Sequence, residues 1–121
     1  MSQPALIPTD TAQTLDLTTS VDVSPSSIVS RTLLQTPEVR VVLFAFDAGQ
    51  ELTSHTSRRR ALAQILTGSC AFFFNGAWHT LTAGTFLHLP PNHPHAVRAG
   101  ESPFTMLLTL GSEQVNERPA S

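Results

Sequence analysis

From Ile28 onward, apolar residues recur at every second position in short runs separated by Gly, Pro, Asn and Asp. That is the pattern of strands joined by turns, because successive side chains on a strand point to opposite faces. The runs predict strands over Ile28–Leu34, Val39–Phe46, Leu62–Leu66, Cys70–Phe74, Trp78–Leu81, Thr85–Leu89 and Phe104–Leu110. Shorter pieces fall around Leu52–Ser57 and Ala96–Arg98. About nine or ten short strands with frequent turns indicate an all-β sandwich or barrel, and no segment sustains a helical period. Asn75-Gly76, between Phe74 and Trp78, is a strong hairpin signal.

The run VRVVLFAF (Val39–Phe46) is apolar on both faces beyond Arg40. Val39, Val41, Leu43 and Ala45 share one face; Val42, Phe44 and Phe46 share the other. A strand apolar on both sides is covered on both. One face fills the barrel, and the other needs an N-terminal strand or a second subunit, so a homodimer is expected. Residues 1–26 are rich in Ser, Thr, Pro and Asp, with Leu15, Leu17 and Val21 as the sole apolar alternation. They read as a mobile start carrying an edge strand. The barrel domain is expected over 27–111 and a frayed tail over 112–121.

Composition narrows the function classes. The chain has 121 residues, enough for one domain with a modest core. Charged residues make up 13% and the formal net charge is −2, which gives no basic surface for nucleic acid or an acidic membrane. A single cysteine, Cys70, excludes an internal disulfide framework and in a strand reads as inert. No apolar run reaches membrane-spanning length, and the N-terminus lacks a charged region followed by an apolar one. The expected compartment is the cytoplasm.

Candidate chemistry concentrates in GTFLHLPPNHPH, Gly84–His95. Pro90-Pro91 ends a strand, because proline has no N–H to give to a ladder. Gly84, Pro90, Asn92 and His95 are spaced as in the second signature of the cupin family, G-x5-P-x-G-x2-H, which the stretch resembles. Asn92 replaces the second glycine, and asparagine tolerates a left-handed backbone. The first signature, G-x5-H-x-H-x3-4-E-x6-G, is matched by Gly49, His55 and Gly68, with Ser57 at the second histidine and Ala61 at the glutamate. His55-Thr56, Ala61-Leu62, Gln64, Leu66, Gly68 and Met106-Leu107-Leu108-Thr109 are similar to a bacterial subgroup of small cupins of the conserved-barrel type (cupin 2). The resemblance implies a jelly-roll barrel, the double-stranded β-helix, with His55 and His95 as metal ligands. Two of four ligands are missing, so it implies at most a weakly held divalent metal (Zn, Ni, Fe or Mn). His93 and His88 are the candidate replacements; the ordinary reading of each is a surface or half-buried histidine. His79 reads as surface.

Arg58-Arg59-Arg60 is the single charge cluster. Guanidinium suits carboxylates and phosphates, so Arg58 and Arg60 are candidates for holding an anionic small molecule; the alternative is a solvated loop. Gln64, polar within an apolar strand, is a candidate pocket or inter-subunit group. The leading expectation is a small-molecule-binding cupin with a reduced or absent metal centre and a pocket lined by His55, Ser57, Gln64 and His95. The alternatives are a metal-dependent cupin enzyme of dioxygenase, isomerase, decarboxylase or lyase type with a rebuilt histidine site, and a structural or regulatory dimer.

Overall fold

The alternation in VRVVLFAF is realised as a strand, Val39–Phe46, in a computed structural model that describes residues 3–113. In chain order the strands are β1 (Ile28–Gln35), β2 (Val39–Phe46), β3 (Glu51–His55), β4 (Arg59–Thr67), β5 (Ser69–Phe74), β6 (Ala77–Thr82), β7 (Phe86–Leu89), β8 (His95–Ala99) and β9 (Phe104–Glu113). They form a five-stranded sheet, β1-β2-β9-β4-β7, and a four-stranded sheet, β3-β8-β5-β6, with antiparallel pairings. The described residues contain no helix. This is the expected all-β jelly roll.

Turn chemistry sets the corners. Asn75 and Gly76 both have positive φ, 54° and 79°, as a two-residue hairpin turn with the twist of its strands requires. At the Thr67–Ser69 corner, Gly68 has φ +74°, and a Cβ there would lie 2.5 Å from the Pro103 carbonyl oxygen. Only glycine fits both the conformation and the close approach. Asn92 has φ 64°, so it takes the left-handed position expected of a glycine in the second motif.

The two sheets meet over a core that includes Phe46, Ala63, Ile65, Phe72, Val97 and Phe104. Phe46 pairs with Phe104 across β2 and β9, and their rings stack at 4.6 Å. Leu33, Leu43 and Ala45 are buried as well, yet stand apart from that cluster. Leu43 and Ala45 face away from the barrel, and both are 0% exposed. Residues 3–27 lie outside the sheets and run beside β1, where Gln3 accepts from Arg31, the cross-strand partner of Leu43. The Leu6 and Ile7 N–H groups donate to the Thr32 and Leu33 carbonyls of β1 at 3.1 and 2.8 Å. Leu43 and Ala45 are therefore closed within one chain, while Val39 and Val41 of the same face are half-buried.

Two boundaries differ from expectation. Residues 3–27 hold turns and bends rather than an edge strand at Leu15–Val21; the edge of β1 is met instead at Leu6–Ile7. The last strand runs past 111 to Glu113, because Gly111 still pairs with Val39 and Glu113 with Arg59. The rest of the expected tail, 114–121, lies outside the described residues, as do residues 1 and 2.

Candidate functional site

β3 and β8 are paired so that His55 and His95 stand directly opposite each other. Cross-strand partners share a face and lie within side-chain contact. Their rings meet edge to face with centroids 4.3 Å apart. The turn after β7 fixes this register from the other side: the Asn92 N–H donates to the Ser57 carbonyl at 2.6 Å, tying the two motif loops together.

Both rings line a cavity of about 230 Å³ inside the barrel. Its polar end is His55, Ser57 and His95. Its walls are apolar, among them Phe44, Phe72, Leu89 and Met106, and Ala61 lines it too. All four positions of the metal-ligand frame, 55, 57, 61 and 95, thus reach one space. His55 stands at the exposed mouth and His95 is half-buried. Burial holds the His95 imidazole below its ordinary pKa, the nearby His55 and His93 rings push the same way, and a hydrogen bond to the His93 backbone opposes them.

The ring nitrogens have fixed roles. Nδ1 of His55 donates to the Thr53 carbonyl at 2.9 Å, and Nδ1 of His95 to the His93 carbonyl at 2.9 Å. A carbonyl oxygen only accepts, so each Nδ1 carries hydrogen, and Nε2 is the nitrogen left for the cavity. Ser57 Oγ accepts from the Arg59 N–H at 3.1 Å and keeps its own hydrogen to donate.

The other candidates lie elsewhere. Gln64 is exposed on the outer face of β4, not in the pocket, because Ala61, Ala63 and Ile65 take the inner face. His88 alternates with inward Leu87 and Leu89, so it is exposed and accepts from Arg60 Nη1 at 2.7 Å. The bend before β8 carries His93 away, and its Nε2 donates to Asn75 Oδ1 at 2.8 Å. The arginines do not converge on the cavity either. Arg58 pairs with Glu113 at 3.2 Å, Arg59 donates to the Gly111 carbonyl at 2.8 Å, and Arg60 turns outward to His88. His79, read as surface, is on the inner face of β6, stacked on Phe74 at 4.0 Å. Its pairing with inward Phe72 is the signal for that placement. The Cys70 thiol is buried and pushed up to about 11 by desolvation, so it is no nucleophile.

The donor set does not fit a metal centre. Two imidazoles and a hydroxyl fall short of three strong protein ligands. Among the described residues, no group of three or more His, Cys, Asp or Glu side chains is placed to hold an ion.

Comparison with known proteins agrees with the architecture. A conserved protein of unknown function from Streptococcus pyogenes superposes with a TM-score of 0.78 at 28% identity, over 95% of this chain and 100% of that one. A cupin superfamily protein from Desulfitobacterium hafniense gives 0.78 at 23% identity over 93% and 100%, a likeness of fold alone. A cupin 2 conserved barrel domain protein from Leptotrichia buccalis gives 0.77 at 31% identity, over 81% of this chain and 47% of that longer one. No curated protein matches the chain. The sequence profile of the AraC-like ligand-binding domain matches residues 40–115, which span β2 to β9 with the whole cavity, and the chain belongs to that cupin-type family.

Proposed function

We propose that the protein is a small-molecule-binding cupin domain, with the barrel cavity as its ligand site and its metal centre reduced to two imidazoles. The observation that carries this reading is the cavity itself. About 230 Å³ of mainly apolar space, with polar groups at one end only, has the composition of a ligand pocket. An apolar cavity of about 150 Å³ already accommodates benzene, so the space suits a compact ring or a short branched chain. The membership in a family of ligand-binding domains points the same way. A metalloenzyme with a rebuilt site would need a third strong ligand. The two histidines that could have supplied it hold other partners, His88 outside the barrel and His93 at the β5–β6 turn.

Ligand binding to the native state alone raises stability by about 2.7 kcal/mol at a hundred times Kd. Thermal melts against a panel of small uncharged and charged aromatics should therefore show upward shifts of several degrees for the binders. Ala61→Phe would fill much of the cavity and should abolish those shifts. A panel that leaves Tm unmoved, or shifts that survive Ala61→Phe and the milder Ala61→Leu, would remove the cavity as the site.

A further inference from the structure

The polar end of the cavity has an unequal stock of hydrogen-bonding groups. With Nδ1 of both histidines committed to backbone carbonyls, each neutral ring offers a bare Nε2 lone pair. Two such acceptors cannot hydrogen-bond to each other. Among the described residues, the hydrogen of Ser57 Oγ is the one side-chain donor beside them. Among the described residues no arginine lines the cavity, and the sequence contains no lysine. The site thus presents two acceptors, one donor and no fixed positive charge above apolar walls.

We propose that the cavity selects an uncharged ligand with a compact apolar body and one or two hydroxyl donors at one end, of which a phenol or a catechol is the simplest form, and that it discriminates against the matching carboxylate. This rests on the reading of the barrel as a small-molecule site. A phenolic O–H donates to one Nε2, and its oxygen accepts from Ser57. The second hydroxyl of a catechol would donate to the other imidazole, whose ring centroid stands 4.3 Å from the first. A carboxylate of the same size brings acceptors alone. It would set its oxygens against two lone pairs, with one hydroxyl to satisfy it and no cation to offset its burial.

The test is calorimetric titration of the full chain at pH 7.5, with excess chelator to exclude metal bridging, using toluene, phenol, catechol and benzoate. Phenol should bind at least tenfold more tightly than benzoate and toluene, and catechol at least as tightly as phenol. His55→Leu and His95→Leu should bring phenol down to the level of toluene while toluene binding persists. Benzoate binding as tightly as phenol, or catechol binding seen solely in a parallel titration without chelator, would overturn the selectivity and leave the pocket reading intact. Absence of binding by all four probes, or binding unchanged in Ala61→Phe, would overturn both.

Discussion

At the scale of single residues, Gly68 and His95 show how local physics constrains this chain. Gly68 combines positive φ with a carbonyl 2.5 Å from where a Cβ would sit. Gly49 has a similar φ, +77°, but open space around it. Gly49→Ala should therefore cost the backbone strain alone, about 1–2 kcal/mol. Gly68→Ala should cost about 2–4 kcal/mol, because Pro103 and Phe104 must also move. Urea unfolding of both variants reads the difference, and equal losses would mean that the corner relaxes freely. For His95 the folded ring has a lowered pKa, so it binds fewer protons than the unfolded chain does. Stability from this source is complete above the ordinary value of about 6.5 and is lost as pH falls below it. Melts between pH 8 and 5 should slope downward toward acid, and His95→Gln should flatten the slope; an unchanged slope would assign it elsewhere. The sequence made Gly68, Asn92 and His95 visible because motif spacing encodes backbone conformation. It could not reveal the Nδ1 partners at Thr53 and His93, which depend on how each strand end bends.

At the scale of elements, parity decided which expectations matched. The two apolar faces of β2 were legible, because Val, Leu and Phe occupy both sets of alternate positions. What covers the outer face stayed open between an N-terminal strand and a second subunit. The Leu6–Ile7 contact with β1 is remote in sequence and carries no periodicity. In β4 the expected pocket group Gln64 shares the outer face with Leu62 and Leu66, while Ala61 and Ala63 point inward. Small inward side chains are what leave room for the cavity, so the weaker hydrophobic pattern marks the functional face. A testable consequence concerns the N-terminal cover. Deleting residues 1–26 would bare Leu43 and Ala45, and burying one leucine side chain is worth about 1.5–3 kcal/mol. The truncated chain should melt at lower temperature and self-associate in light scattering. A truncated chain with the parent's Tm and an unchanged mass would place the cover elsewhere.

At the scale of the whole molecule, the pairing of strands distant in sequence builds the site, and that is where sequence reading ran shortest. Motif spacing announced the barrel, but only the β3–β8 register sets His55 against His95, and only the return of β4 beside β9 brings position 61 to the same space. Because positions 55, 57, 61 and 95 all line one cavity, the site differs from a four-ligand centre by side-chain chemistry rather than by architecture. Protein purified without a histidine tag should hold substoichiometric divalent metal, lost on mild chelation with little change in Tm, since two imidazoles bind weakly. Ser57→His combined with Ala61→Glu should complete three histidines and a carboxylate and raise affinity by orders of magnitude, provided that 230 Å³ admits both side chains. Elemental analysis of parent and double variant decides the matter. One full equivalent of tightly held metal in the parent would overturn the reduced-site reading. A double variant that folds, shown by an intact cooperative melt, yet takes up no metal would show that these four positions do not converge as the cavity lining requires.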